Sequence, residues 1–330
     1  MMSTQPFPFP SHSGTCASLA IAVALGVGLL LGATGAAAHG NPSGDRACTG
    51  TTQLAFTACG FDVEDNYKIA VAKCLNETDA GARAGCMDEA RATRSDERSE
   101  CSDVRDARDD VCDSLTAGGG AYDPPVDSIS WVPADLIDGN SYFPLVPGTV
   151  TTYENTDGER IVVTVTNRTT KIDGVPVRAV TDVVKVDGKV TESTVDWFAE
   201  DTDGNVWYFG ERTKAAVEDS KLITVDGSWQ AGVDGAKPGI IMPAVPMVGD
   251  VYRQEWLLGD AEDVAEILST DASASAQAAS CANTCVKTHD YSPLEPDASE
   301  SKFFAPGIGV IVVLDDNNPA FKEELVPNSP

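Results

Sequence analysis

Six cysteines between positions 48 and 112 are the residues of this chain whose type and spacing say most about chemistry, and that chemistry is oxidation. Cys48 and Cys112, Cys59 and Cys101, and Cys74 and Cys86 form three pairs whose residue numbers have the same sum. Residues that face one another across two antiparallel helices have this property. The steps along each arm, 11 and 15 residues, are close to three and four turns at about 3.6 residues per turn, so all six fall on one stripe. Among the many pairings that six cysteines allow, the spacing selects the nested set. Cys281 and Cys285 lie close together in a Ser/Ala-rich stretch. They are expected to form a local disulfide, because a metal site would need further thiolates or imidazoles and only His289 is near.

Two segments have features of ion-binding patterns. Removal of a 38-residue leader would leave His39 first in the chain, with its α-amine and Nδ1 as a chelating pair. One more imidazole, that of His289, would complete a brace suited to Cu(II). Copper proteins of the histidine-brace type, including lytic polysaccharide monooxygenases, similarly begin His-Gly after an Ala. Here the following residues, 41–47, read as a loop rather than a first strand, and nothing in the sequence links His39 to His289. Asp201-Thr202-Asp203-Gly204-Asn205 looks superficially like a calcium loop. An EF-hand needs Gly at its sixth position and a bidentate Glu at its twelfth, whereas Gly is fourth here, so a hairpin turn is expected. No cofactor is expected, with copper or calcium as the alternatives. Nucleophile-elbow, zincin and phosphate-loop motifs are missing from the sequence. The expectation therefore leans away from catalysis.

The stretch from Gly227 to Asp250 lacks strand periodicity and is rich in Gly and Pro. Long irregular connections are usually functional or disordered. This one carries Trp229, Asp234, Lys237 and Met242, and it leads into Tyr252, Arg253 and Glu255. An aromatic, an apolar side chain and a few charges are the ingredients of a ligand mouth. The competing expectation is a loop packed over the open end of a sheet, with Trp229 in the core.

The elements that position these residues follow from composition. Residues 1–38 hold no Asp, Glu, Lys or Arg; an apolar run from Leu19 to Ala33 is followed by Ala36-Ala37-Ala38. That reads as a secretory signal peptide, too short in its apolar part to span a bilayer. The expected compartment is the periplasm or the exterior. The net charge of −28 makes nucleic acid a poor partner; an unknown protein or small molecule is expected instead, and a membrane-spanning protein is not. Residues 39–117 read as the disulfide-linked hairpin, with a first helix over about Phe61–Leu75, a bend at Asn76–Ala80, and a second helix to about Leu115, N-capped by Thr78 or Asp79. The apolar stripe of this hairpin is thin and rich in alanine, so three disulfides must supply its stability. Residues 118–140, with three glycines and then Pro124-Pro125, read as a linker.

From 141 to 330 the texture is β. Asp157-Gly158, Asp187-Gly188 and Asp203-Gly204 each separate runs rich in Val, Thr and aromatics, the strongest short-range hairpin signal. The expected fold is α+β: the stapled helical hairpin followed by a curved antiparallel meander or partly open barrel of eight to ten strands, with one short helix at Ala261–Leu268. Three phrases in this region, at 142–148 (YFPLVPG), 238–244 (PGIIMPA) and 305–310 (APGIGV), resemble a class of uncharacterised secreted bacterial proteins and lipoproteins. That resemblance implies an envelope or extracellular β-domain and no particular chemistry. The cysteine hairpin also resembles the nested-disulfide hairpins of mitochondrial twin-CX9C proteins, from which only the geometry carries over. The expected function is an acidic, non-catalytic binding or interaction protein, with a carrier of an apolar small molecule and a copper protein as alternatives.

Overall fold

A computed structural model describes residues 47–216 and 223–328. The leader and His39 lie outside the described residues. Two compact units divide the chain between Asp123 and Pro124.

The first unit is the hairpin of α1 (Ala47–Leu75) and α2 (Ala80–Ser114). All three nested disulfides form, with Cα–Cα separations of 5.7 Å for Cys48–Cys112, 5.9 Å for Cys59–Cys101 and 5.5 Å for Cys74–Cys86. α1 starts well before Phe61, because Cys48 can face Cys112 only if the helix reaches back to it. Asp79 caps α2, its Oδ1 accepting from the Ala82 amide at 2.7 Å. Burial is sparse: Thr52, Val63 and Cys74 on α1, and Ala90, Cys101, Val111 and Cys112 on α2. Arginines of α2 cover aromatics of α1, Arg94 over Tyr67 and Arg105 over Phe56. Arg94 and Arg98 both reach Glu64.

The second unit holds fifteen strands among the described residues. The first seven are β1 (Val150–Asn155), β2 (Glu159–Ile172), β3 (Val175–Val186), β4 (Lys189–Glu200), β5 (Val206–Ala216), β6 (Ile223–Thr224) and β7 (Trp229–Gln230). β8 (Lys237–Met242), β9 (Val251–Arg253), β10 (Glu255–Trp256) and β11 (Val264–Ser275) follow. The last four are β12 (Ser280–Tyr291), β13 (Ser299–Ala305), β14 (Gly309–Asp315) and β15 (Lys322–Val326). The three Asp-Gly turns sit where the sequence places them, between β1 and β2, β3 and β4, and β4 and β5, with each glycine at positive φ.

All pairings are antiparallel, and the sheet order is β10-β8-β5-β4-β3-β2-β1-β15-β14-β13-β12-β11-β9, with β6 and β7 also paired to β5. The two outermost strands of this order, β9 and β10, are consecutive in the chain, with Gln254 between them. The sheet therefore curls until its edges meet, giving a nearly closed barrel. Gly239 on β8 lies at that seam: a Cβ there would stand 2.2 Å from the carbonyl carbon of Gln254, so only glycine lets the two backbones approach.

Three expectations change. Ala261–Leu268 is not a helix; its second half belongs to β11, paired with β9 on one side and β12 on the other, and tertiary pairing overrides its helical propensity. Gly227–Asp250 is not an irregular loop, since it contains β7 and β8. The segment read as a linker packs into the second unit from Pro124 onward. There Ile137 is buried, and the Arg178 guanidinium donates to the carbonyls of Ile137, Ala134 and Thr166. Among the described residues no helix is long and apolar enough to cross a membrane.

Candidate ligand cavity

Period-2 alternation decides what the barrel encloses. On β2, Ile161, Val163 and Val165 share one face, and their partners on β3 are Val184, Asp182 and Val180. On β4 that face continues through Thr194, Asp196 and Phe198, and on β5 through Thr213, Glu211 and Tyr208. Across the barrel, β12 contributes Val286, Thr288 and Asp290, opposite Phe304, Lys302 and Glu300 of β13. Ionisable side chains thus occupy positions in the apolar phase of several strands.

A cavity of about 130 Å³ opens between these faces. Its walls are apolar: Phe143, Leu145, Val163, Val165, Val180 and Phe198 from one stretch of sheet, and Ile241, Phe304, Ile308 and Val310 from the other. Thr149 and Ile308 at its rim are solvent-exposed. Asn140 shapes the rim, its side-chain oxygen accepting from the Tyr142 and Phe143 amides and its nitrogen donating to the Gly204 and Met242 carbonyls. Six further lining residues, Asp182, Asp196, Tyr208, Gln254, Asp290 and Lys302, are all buried and form a polar floor.

The floor is rich in acids and short of cations. Lys302 Nζ lies 3.0 Å from Asp290 Oδ2 and 3.6 Å from Glu300 Oε2, and Gln254 Nε2 donates to the same Asp290 oxygen at 3.2 Å. Burial pushes Glu300 up to about 8 despite the opposing pull of Lys302. Tyr208 Oη is 2.7 Å from Asp196 Oδ1 and 3.1 Å from Glu211 Oε2. A phenol has one proton to donate, so two ionised carboxylates cannot both be satisfied by it. Burial pushes Asp196 up to about 7, against the pull of the Tyr208 hydrogen bond, which places a shared proton within this group near neutrality. Asp182 is different. Both of its oxygens are buried without a hydrogen-bond partner. Burial, reinforced by Asp196, Glu323, Glu192 and Glu211, holds its carboxyl well above the usual range.

Among the described residues, none of the side chains that the sequence nominated lines this cavity. Trp229 is buried, its ring edge-on to Tyr208 at 5.3 Å between centroids, so it packs behind a floor residue. Met242 is fully buried opposite Val206, while its neighbour Ile241 faces the cavity. Arg253, stacked over Trp256, and Glu255, pushed well up by burial, flank the lining residue Gln254. Tyr252 has its hydroxyl buried. Lys237 pairs in register with Trp256, and Asp234 sits in a turn at positive φ. His289 is held by Asp316 at 2.9 Å and stacks on Tyr291. Cys281 and Cys285 form the fourth disulfide. Asp201 accepts from the Asp203 and Asn205 amides, the Asn205 side chain and the Trp207 indole, a turn whose carboxylate is fully engaged. Among the described residues no group of three or more His, Cys, Asp or Glu could hold a metal ion.

The acids of the floor were missed because each sits singly in a different strand, Asp182 on β3, Asp196 on β4 and Asp290 on β12. A signal was present in the alternation Val180-x-Asp182-x-Val184 and Thr194-x-Asp196-x-Phe198, where an acid takes an apolar position. No protein-family model, curated protein or solved structure matches the chain. The site is therefore read from its geometry.

Proposed function

We propose that this protein is an exported, non-catalytic carrier whose β-domain encloses a small, mostly apolar molecule. The observation that carries the reading is the apolar-walled cavity inside a nearly closed barrel. Its walls come from segments far apart in sequence, at 143–145, 241 and 308–310, so the space is a product of the whole fold and not of one loop. Ligand sites commonly combine this kind of apolar lining with a few convergent polar groups. The volume is close to that of an engineered cavity of roughly 150 Å³ that takes up benzene. Four disulfides support an oxidising compartment.

The test uses aromatic probes of matching size. Toluene and indole should raise the Tm of the β-domain and give saturable heat in calorimetric titration. Val180→Phe, which fills the cavity from its wall, should abolish both effects at a stability change of about 1–3 kcal/mol. Failure of toluene and indole to bind the wild-type chain would end the carrier reading.

A further inference from the structure

We infer that the molecule held in the cavity carries a cationic amine on its apolar body, and that Asp182 is the carboxylate that receives it. This rests on the carrier reading above and adds the chemical class of the ligand. The lining holds three carboxyl side chains, Asp182, Asp196 and Asp290, against one cation, Lys302. Lys302 is engaged by Asp290, and Asp196 is bonded to Tyr208. Asp182 remains, 3% exposed, in the cavity wall, with both oxygens lacking a partner. A buried carboxyl left in this state is costly unless something entering the cavity satisfies it.

Ligand charge discriminates among the candidates for that role. An anion would meet three acidic side chains against one cation that Asp290 already engages. A purely apolar molecule would leave Asp182 as it is. An ammonium supplies donors and the missing positive charge together, which is the arrangement that makes a buried ion pair tolerable. The rings of Tyr153, Phe198 and Tyr208 line the same cavity, and aromatic faces favour a cation over an anion.

Loading also moves a proton. Without a cationic partner, burial favours the protonated form of Asp182, with Asp196 and Glu192 on β4, Glu323 on β15 and Glu211 on β5 all acting in that direction. When an ammonium enters, Asp182 becomes its carboxylate partner and the carboxyl proton passes to solvent.

The experiment is an isosteric series (toluene, benzyl alcohol, benzylamine and benzoate) titrated calorimetrically into the full chain and into Asp182→Asn. Benzylamine should bind the wild type at least tenfold more tightly than benzyl alcohol, and benzoate should not bind. In Asp182→Asn the preference for the amine should collapse to near parity while toluene binding persists. Titrations in buffers of different ionisation enthalpy should reveal proton release with benzylamine and none with toluene. That measurement on the wild-type chain decides the matter even if the variant fails to fold. Benzyl alcohol or benzoate binding as tightly as benzylamine, an amine preference surviving in Asp182→Asn, or amine binding without proton release would each overturn the inference and leave the carrier intact. If no probe binds, both readings fall.

Discussion

In the hairpin the charges stand outside and the covalent bonds inside: arginines of α2 reach over to Tyr67, Phe56 and Glu64, while the interior between the helices is largely cystine. In the β-domain the arrangement is inverted. Hydrophobic packing of Tyr208, Phe209, Ile161, Ile311 and their neighbours holds the barrel, and a belt of acids is carried within it. The difference concerns what a small interior can support. A two-helix unit with so little to bury can place ions only at its surface and needs cross-links to persist. A large sheet closed on itself has enough apolar packing to offset buried carboxyls, and only such a unit can keep polar groups waiting in a cavity.

The largest effect that separates the two regions is expected from reductant. Each nested disulfide contributes roughly 2–4 kcal/mol, not strictly additively, and the hairpin has no comparable apolar reserve. Reduction should remove most of the helical circular dichroism and leave the β signal, since Cys281–Cys285 closes only a short loop within β12. Simultaneous loss of both signals would show that the two units fold as one.

A sharper comparison places the same kind of change in each unit. Lys302→Met removes the cation from Asp290 and Glu300 in the interior, and breaking a buried pair costs about 3–5 kcal/mol. Arg94→Met removes a cation from Glu64 at the hairpin surface, where Arg98 remains and solvent screens the pair; its denaturation midpoint should barely move. Equal losses in urea titrations of the two variants would break the contrast.

The two regions also differ in their dependence on pH. Folding raises Asp196 from 3.8 to about 7 and Glu300 from 4.5 to about 8. The folded β-domain thus binds more protons than its unfolded chain between those limits. Its stability is full below about pH 4 and falls as pH rises through 7 and 8, by at most about 1.4 kcal/mol per pH unit for each group inside its window. The denaturant midpoint of the β-domain should be lower at pH 8 than at pH 5. Glu64 in the hairpin shifts the opposite way, lowered by its hydrogen bond to Arg94, so its contribution is lost on acidification. A β-domain midpoint that rises from pH 5 to pH 8 would mean that the interior acids are ionised and paired.

How much of this was legible in the sequence depends on the range of the interaction. The helical hairpin could be read because a constant index sum encodes which residues face each other, so the connectivity follows from numbering alone. The first five long strands could be read because Asp-Gly turns mark them locally. Residues 261–268 could not: Ala, Glu and Leu favour a helix there, and the pairing with Cys281–Tyr291 that makes part of the segment a strand comes from beyond its own neighbourhood. The candidate site was half legible. The phrases at 142–148, 238–244 and 305–310 stood out, and residues of all three line the cavity. Asp182 and Asp196 stood in the apolar phase of their strands, but single acids among 51 carry no weight until closure brings them together. Trp229 drew attention as an aromatic in a glycine-rich stretch and proved to support Tyr208 from behind.

The seam at Gly239 has a consequence for the company this protein keeps. A long sheet normally ends in rows of unpaired amides and carbonyls that can recruit strands from other chains. Here the outermost strands in the order are two very short ones, Val251–Arg253 and Glu255–Trp256, turned toward each other across a single intervening residue. Closure against the bare backbone of Gly239 leaves little edge to act as a template. One position without a side chain thus guards the molecule against edge-to-edge aggregation, which a strongly negative surface then discourages further.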